Sequence, residues 1–297
     1  MLRFAMLTPA TDKPYFRKKS TIRYNGELVN LSCPMVMGIL NVTPDSFYDG
    51  GKHMTIEKAI KRAFEIVSEG ASIIDIGASS TRPGAAEVSP EEELARLLPV
   101  AKEIRKNFQD IIISIDTYNS GVARSVIEEI GDCIINDISG GKLDPEMFEI
   151  VAKLKVPYIL THIQGTPKTM QQNPNYENVT KEVLKELSES IFKLHELGVS
   201  DVIIDPGFGF GKTLEHNYEL FGNLDAFRMF ELPILVGISR KTMIYKLLNT
   251  TPEESLNGTT ILNTLALIAG ATFLRVHDVK PAVEAIKIVE QLKKCSL

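Results

Sequence analysis

Eight short apolar segments of the sequence each end in a polar side chain that can ionise or bind a ligand. Because active-site residues of parallel α/β folds lie just after the strands, these positions are where chemistry is expected. One polar residue there is ordinary for a loop, whereas eight in succession indicate a shared site. The residues are Asn41, Asp75, Asp116, Asn136 with Asp137, His162, Asp205, Ser239 with Lys241, and Arg275 with His277.

Four of these side chains suit a flat heterocycle that carries amide and amino groups. A carboxylate that faces an N–H/NH₂ edge forms a paired, charge-assisted hydrogen bond. Amide and ammonium groups supply complementary donors and acceptors. We therefore expect a ring of this kind to bind at Asp116, Asn136, Asp205 and Lys241.

A second group of side chains is basic and predicts a bound phosphate. It comprises Arg82, Arg275 and His277, and the helix expected after His277 adds N-terminal N–H groups to the same place. Two alternatives stay open at this point. Arg275 can instead form an ion pair with a neighbouring carboxylate, and His277 can be a hydrogen-bonded structural imidazole.

Three loops near the expected site are rich in turn-forming residues. Loops 41–51 and 79–84 are long and polar, which is typical of lids and also of plain surface loops. The third loop, residues 205–212, reads DPGFGFGK and lacks the spacing of phosphate-binding glycine loops. Its glycines are expected to allow positive φ angles or a close approach of the backbone. The sequence has no HExxH, Cys/His zinc or Ser-His-Asp pattern, and an oxygen-liganded Mg²⁺ held partly by substrate phosphate stays open.

Short β-rich runs recur along the chain, and nearly every one precedes a helical pattern. Several runs are apolar throughout, as in parallel strands that are covered on both faces. Eight strand-then-helix units predict a closed (β/α)₈ barrel, with an open doubly wound sheet as the alternative. The predicted strands are 35–40, 73–76, 111–115, 133–135, 157–160, 202–204, 233–236 and 272–276.

The predicted helices have buried stripes and capping residues. One stripe consists of Ile56, Ala59, Ile60, Ala63, Phe64 and Val67. Two further helices are predicted to begin at a capping box, residues 89–92, and at Asp144-Pro145. Ahead of the first barrel strand, residues 21–31 predict a β-hairpin that turns at Asn25-Gly26 and caps the N-terminal end of the barrel. We therefore predict one barrel domain, residues 21–297, after an N-terminal extension of residues 1–20.

Composition narrows the class of protein. The chain has 297 residues, 33 Lys and Arg against 38 Asp and Glu, and a formal charge of −5, which disfavours a nucleic-acid partner. Hydrophobic residues make up 44 %, typical of a folded globular chain. Cys33, Cys133 and Cys295 lack metal or disulfide spacing and predict a reducing, cytoplasmic setting. No apolar run approaches the ~20 residues that cross a bilayer, so no membrane partner is expected.

The strand-end residues belong to eight strings that together resemble the dihydropteroate synthase family of the folate pathway. The strings occur in the family's order and approximate spacing from Met37 to Val279. They are MGILNVTPDSFYDGG, DIGASSTRPGA, SIDT, INDISGG, THIQG, DPGFGFGK, GISRK and RVHDV. Ser79 and Ile163 depart from the family's usual acidic residue and methionine.

The resemblance implies a (β/α)₈ barrel that joins 4-aminobenzoate to 6-hydroxymethyl-7,8-dihydropterin diphosphate and releases pyrophosphate. It implies three sets of site residues. The pterin is held by Asp116, Asn136, Asp205 and Lys241; the diphosphate by Asn41, Arg275 and His277, with Asn41 at a Mg²⁺ site; the aminobenzoate side by Thr81, Arg82 and Ser239. Asp116, Lys241, Arg275 and His277 are the catalytic candidates, in an SN1-like substitution. A homodimer is also implied.

Two other functions stay open from the sequence. A pterin-binding barrel can move a methyl group from a methyl-folate to a corrinoid protein, although that reaction has no diphosphate or aminobenzoate for the STRPG and SRK strings to bind. A non-catalytic pterin-binding paralogue is the other alternative. The full set of strand-end polar residues disfavours it.

Overall fold

The structure, a computed structural model, describes residues 19–42, 52–78, 88–167 and 169–295, with residues 52–55 described in their backbone alone. The strands are β1 Thr21–Tyr24, β2 Glu27–Asn30, β3 Met35–Asn41, β4 Ile73–Gly77, β5 Ile112–Asp116, β6 Ile134–Asp137, β7 Tyr158–Thr161, β8 Val202–Asp205, β9 Leu235–Val236 and β10 Phe273–Val276. The helices are α1 Lys52–Ser68, α2 Pro90–Asn107, α3 Ser120–Ile130, α4 Met147–Leu154, α5 Val179–Glu196, α6 Leu214–Gly222, α7 Thr242–Tyr245, α8 Leu256–Ala269 and α9 Val279–Cys295. A 3₁₀ helix, Leu224–Phe230, precedes β9.

Within this part of the chain, eight parallel strands form a barrel. Hydrogen-bonded neighbours follow the order β8-β7-β6-β5-β4-β3-β10-β9. A parallel bridge between Ile204 and Ile234 joins the two ends, and the Ile204 N–H donates to the Pro233 carbonyl at 2.9 Å. The sheet therefore closes on itself. This confirms the (β/α)₈ prediction and excludes the open doubly wound sheet.

The lower half of the barrel interior is apolar, and the N-terminal hairpin covers it. The antiparallel pair β1–β2 turns at Asn25 and Gly26, both with positive φ, and packs Ile22 and Tyr24 beneath the strands. Each barrel strand adds one buried side chain to this layer: Met37, Ile73, Ile112, Ile134, Ile159, Ile203, Leu235 and Phe273. The predicted cap is therefore confirmed.

The helices bury one face each against the outside of the barrel. In α1, Ala59 and Ala63 are fully buried, as the apolar stripe predicts, and Ile66 joins them. Phe64 is 49 % exposed, so the prediction that it belongs to the buried stripe is wrong. It lies at the edge of the stripe and packs edge-on against Phe108, with ring centroids 4.6 Å apart.

Element boundaries differ from the predicted ones by one to three residues. The Ser89 Oγ accepts a hydrogen bond from the Glu92 N–H at 3.2 Å and caps α2 as expected. The helix predicted at Asp144-Pro145 begins at Met147. The predicted strand 233–236 shortens to Leu235–Val236, because Pro233 has no N–H to pair with a neighbouring strand.

Lys19, the first described residue, contacts the segment just before β8. Lys19 Nζ donates to the Ser200 carbonyl and to Asp201 Oδ1, both at 2.6 Å. Residues 1–18 of the expected N-terminal extension lie outside the described residues, and the domain boundary stays a prediction. Among the described helices, none combines the length and the apolar character that a membrane span requires.

Candidate active site

The upper half of the barrel interior is polar, in contrast to the layer below it. Since strand side chains alternate between two faces, the residue two positions after each member of the apolar layer also faces inward. Six strands place a polar side chain there: Asp75, Ser114, Asn136, Thr161, Asp205 and Arg275. Strand alternation therefore gathers these polar side chains near the C-terminal end of the barrel.

Arg275 is the centre of a buried ion-pair network. Its Nε donates to Asp75 Oδ2 at 2.6 Å, and Nη2 donates to Asp116 Oδ2 at 2.5 Å. Asp75 is fully buried and also accepts from the Ser114 hydroxyl at 2.6 Å and from Asn136 Nδ2 at 3.1 Å. The ion pair that the sequence left open for Arg275 is thus present, and it places the guanidinium among the candidate residues.

Asp75 is a site residue that the predicted binding groups omit. The signal in the sequence is an aspartate inside the apolar strand β4, two positions after Ile73, which faces the interior. A charged residue in such a position needs a buried partner. Arg275 supplies that partner from 200 residues further along the chain.

Burial sets the protonation of this network. It raises the pKa of Asp116 to about 7, and the adjacent Arg275 opposes the rise. Burial by itself lowers the pKa of Arg275, but the charges of Asp75 and Asp116 outweigh it, so this pKa lies above the usual value. Arg275 therefore stays charged at neutral pH, where Asp116 titrates.

Asp205 and Lys241 bring two opposite charges near each other after the adjacent segments β8 and β9. Burial raises the pKa of Asp205 and lowers the pKa of Lys241 to about 8, and each charge opposes the shift of the other. Asp205 Oδ1 accepts from the Gly207 N–H at 2.8 Å. Lys241 Nζ donates to the Phe208 carbonyl and lies 4.5 Å from the Phe210 ring centroid. The loop after β8 therefore carries partners of both charged groups.

The glycines of that loop permit close backbone approach, as the sequence predicts. Gly207 has a φ of 73°, and a Cβ there would lie 1.8 Å from the His162 carbonyl oxygen. A Cβ at Gly211, with a φ of 65°, would lie 2.5 Å from the Gln164 carbonyl oxygen. The loops after β7 and β8 are therefore packed backbone against backbone.

The loops after β9 and β10 are tied together next to this pair. The His277 backbone N–H donates to Ser239 Oγ at 3.2 Å, and the His277 Nδ1 lies 3.2 Å from the same oxygen. Arg240, with a φ of 56°, donates to both carboxylate oxygens of Asp278 at 2.9 and 2.7 Å. The hydrogen-bonded imidazole that the sequence left open for His277 is present, and it lies beside Ser239.

An apolar cluster and one hydroxyl complete the wall above β6, β7 and β8. The cluster consists of Ile138, Ile163, Met170 and Phe210, with Tyr118 packed against it. Thr161 pairs in register with Asp205 and faces the interior. Its buried Oγ1 finds no hydrogen-bond partner among the residues that the structure describes. The sequence groups also omit Thr161, since a threonine at a strand end is unremarkable without the alternation of the barrel.

Comparisons with known proteins show the family of the chain. The family model described as pterin binding enzyme matches residues 37–277. The dihydropteroate synthase of Escherichia coli strain K12 is 48 % identical over 267 residues, which is 89 % of this chain and 94 % of that protein. The chain belongs to the dihydropteroate synthase family.

Solved structures of the family have the same fold. That of the Yersinia pestis dihydropteroate synthase with a sulfonamide drug superposes with a TM-score of 0.86 at 42 % identity, covering 92 % of this chain and 99 % of the other. That of the Xanthomonas albilineans dihydropteroate synthase with 4-aminobenzoic acid gives 0.86 at 37 % identity, covering 93 % and 99 %. The family resemblance of the eight sequence strings is thereby confirmed.

Several residues that the family pattern implicates lie outside the described residues. They are Thr81 and Arg82, with Ser79, in the expected lid loop 79–84, and residues 43–51 of the other expected lid, loop 41–51. Asn41 is described, is partly buried, and pairs in register with Gly77 at the end of β3. By alternation with Met37 it faces the same end of the interior as Asp75.

Among the described residues, Asn41 offers an oxygen ligand of the kind that Mg²⁺ takes. Among these residues, no three His, Cys, Asp or Glu side chains lie close enough to hold a metal ion. Mg²⁺ prefers oxygen ligands and is often held by one or two protein oxygens together with substrate phosphates and water. The amide oxygen of Asn41 is suited to that arrangement.

Proposed function

We propose that the chain catalyses the reaction of its family, in which 6-hydroxymethyl-7,8-dihydropterin diphosphate and 4-aminobenzoate give 7,8-dihydropteroate and pyrophosphate. The observation that carries this proposal is the gathering of two chemically different groups at one barrel mouth. One group suits a flat ring, with Asn136, Asp205 and Lys241. The other is Arg275, paired with Asp116 and positioned for an anion.

The pterin ring binds on the Asp205 side of the mouth in this proposal. The Asp205 carboxylate accepts from the amino and N–H edge of the ring, and the Lys241 ammonium donates to its acceptors. Asn136 adds an amide, and Thr161 adds a hydroxyl that has no partner among the described residues. The apolar cluster around Phe210 supplies a face against which a flat ring packs.

The diphosphate binds on the Arg275 side. The two ion pairs of Arg275 use two of the five N–H groups of a guanidinium, so it binds an anion without leaving its carboxylates. His277 lies two residues before the start of α9, and the unpaired N–H groups of a helix N-terminus suit a bound anion. Asn41 would hold Mg²⁺ here, and a bound Mg²⁺ supplies neutralisation of the charge on the leaving diphosphate.

The reaction requires charge placement and no nucleophilic side chain. The bond between the pterin methylene carbon and the diphosphate oxygen breaks, and its electron pair leaves with pyrophosphate. The ring donates electrons to the cationic methylene, and ionised Asp116 favours that positive charge. The lone pair of the neutral arylamine then forms the C–N bond, and the nitrogen releases one proton. Arg275 stabilises the departing charge.

The aminobenzoate binds next to Ser239, with Thr81 and Arg82 completing its subsite as the family pattern implies. Ser239 is held against His277 by the hydrogen bond to the His277 N–H. Binding next to Ser239 thereby places the arylamine of 4-aminobenzoate beside the diphosphate side of the mouth. Positioning of two reactants in this way replaces a bimolecular encounter and lowers the entropic part of the barrier.

We further propose that the protein is a homodimer in the cytoplasm. Large apolar side chains on α8 and α9 are exposed in the single chain, among them Ile261, Ile288 and Leu292. Exposed apolar residues on neighbouring helices suit a self-complementary interface.

The free thiols of the three cysteines suit a reducing compartment, which supports the cytoplasmic location.

Pyrophosphate release tests the proposed function directly. The purified chain is mixed with the dihydropterin diphosphate and Mg²⁺, with and without 4-aminobenzoate, and pyrophosphate and dihydropteroate are measured. Turnover that depends on the arylamine and yields the two products in equal amounts is expected. The absence of both products would overturn the proposal and favour a methyl transferase or a non-catalytic paralogue.

A further inference from the structure

The last residue of the loop after β8 is a buried lysine that lies outside the proposed substrate contacts. Lys212 is 3 % exposed, and its Nζ lies 2.9 Å from His162 Nδ1, 2.8 Å from the Gly207 carbonyl and 3.1 Å from the Phe210 carbonyl. Three acceptors match the three N–H groups of an ammonium, whereas a neutral amine donates only two. The geometry therefore selects the charged form, against a burial that lowers the pKa to about 7.

The lysine connects two loops of the barrel mouth. His162 follows β7, whereas Gly207 and Phe210 belong to the loop after β8. The same loop provides the N–H donor to Asp205, and the Phe208 carbonyl and Phe210 ring that hold Lys241. A change in the position of this loop therefore moves the partners of both residues that are proposed to recognise the pterin.

The histidine side of the connection is also fixed. Burial and the nearby charge of Lys212 lower the pKa of His162 to about 4, so the imidazole is neutral and its Nδ1 accepts from Lys212. Its Nε2 lies 3.4 Å from Glu186 Oε2 on α5. Glu186 in turn accepts from Lys142 at 2.7 Å, and Lys142 donates to the Ile163 carbonyl at 2.7 Å. The chain of contacts thus spans the loops after β6, β7 and β8.

We propose that Lys212 is a positioning residue for pterin recognition, which clamps the β7 and β8 loops together and thereby fixes Asp205 and Lys241. An apolar side chain of similar length would fill the same space without the cost of desolvating a charge. The role of the buried ammonium therefore lies in its hydrogen bonds to the two loops. The charge of Lys212 also opposes the rise in the pKa of Asp205 and so favours the ionised carboxylate. This inference rests on the proposed function, because it assigns the clamp to the pterin subsite.

The test compares two subsites in Lys212→Met. Calorimetry measures the Kd of 6-hydroxymethyl-7,8-dihydropterin and, separately, the Kd of pyrophosphate. We expect the pterin Kd to rise at least about tenfold and the pyrophosphate Kd to change less than about twofold. Equal changes at both subsites, or an unchanged pterin Kd, would overturn the proposal. Wild-type protein that binds no pterin would instead contradict the proposed function, so the two failures are distinguishable.

Two His162 variants keep the test decisive if Lys212→Met does not fold. His162→Leu removes the acceptor for Lys212, whereas His162→Asn offers an amide oxygen near the position of Nδ1. We expect a pterin Kd raised about threefold or more in the leucine variant and restored toward wild type in the asparagine variant. The variant Tyr24→Phe serves as the control for lost stability, since it acts at the opposite end of the barrel. Identical pterin affinities in the two His162 variants would contradict the clamp.

Discussion

At the scale of single residues, the protonation of Asp116 and Lys241 controls the proposed chemistry. Burial raises the pKa of Asp116 to about 7 and lowers that of Lys241 to about 8. Catalysis needs ionised Asp116 and charged Lys241, so kcat/KM for the pterin diphosphate rises with pH through about 7 and falls through about 8. Asp116→Asn is expected to lower kcat/KM about 10²-fold and to abolish the rising limb. A rising limb of the pH profile that persists in Asp116→Asn would contradict this assignment and would instead report the titration of the substrate diphosphate.

Arg275 combines a structural and a proposed functional role, which two variants separate. Arg275→Ala leaves Asp75 and Asp116 buried without their partner, so we expect a loss of about 3–5 kcal/mol in the free energy of unfolding. Arg275→Lys keeps a charge but loses the planar fork, so a smaller loss of stability and a clear loss of kcat/KM are expected. Urea unfolding and steady-state kinetics measure the two effects. Wild-type stability in the alanine variant would show that the ion pairs contribute nothing.

At the scale of elements, the Tyr24 hydroxyl helps to hold the N-terminal hairpin against the barrel. The Tyr24 OH accepts from Arg105 Nη2 at 2.8 Å and from the Ile113 N–H at 3.0 Å. Tyr24→Phe leaves a buried N–H without its acceptor, and we expect a loss of about 1–2 kcal/mol in stability with unchanged kcat/KM. Leu28→Ala, at a side chain that is 72 % exposed, is the control and should change neither quantity. A kinetic defect in Tyr24→Phe would mean that the cap acts on the site.

Gly207, in the loop after β8, can be compared with Gly131, which follows α3. Gly131 and Gly207 have φ values of 82° and 73°, but a Cβ at Gly131 meets nothing within 4 Å. Gly131→Ala therefore introduces backbone strain alone, about 1–3 kcal/mol, because with a ψ of −165° Gly131 lies in a region that glycine almost alone adopts. Gly207→Ala also collides with the His162 carbonyl, and we expect at least about 2 kcal/mol of additional destabilisation with a weakened affinity for pterin. Equal unfolding midpoints in urea for the two variants would contradict the close packing of the loops.

At the scale of the whole molecule, the exposed apolar residues of α8 and α9 predict self-association. Ile288 is 61 % exposed and Ile261 is 51 % exposed in the single chain. Ile288→Glu buries a charge in the proposed interface, so sedimentation equilibrium should show monomers where wild type is dimeric. The corresponding change at Leu28, on the hairpin, should leave the dimer intact. A monomeric wild type at micromolar concentration would contradict the dimer.

The architecture of the barrel was predictable from sequence because it depends on local periodicity. Apolar runs such as 73–76 and 202–204 become strands within a residue or two of the predicted bounds, and the Asn25-Gly26 turn forms the cap. The candidate site was predictable to the extent that it lies at strand ends, as Asp116 and Asp205 do. Thr161 was missed, and Asp75 was named at a strand end but placed in neither binding group, because their roles become informative only once their inward-facing neighbours are known.

The sequence by itself determined the fold class, the family, and the strand-end residues from which the proposed pterin and diphosphate sides are drawn. It did so because periodicity and motif order are one-dimensional properties. Only the tertiary structure decided which charges pair. Arg275 joins Asp75 and Asp116, and Lys212 joins His162, through contacts that span 50 to 200 residues of the chain. Such contacts depend on strand register and on closure of the barrel, which together set the distance between atoms that are remote in sequence.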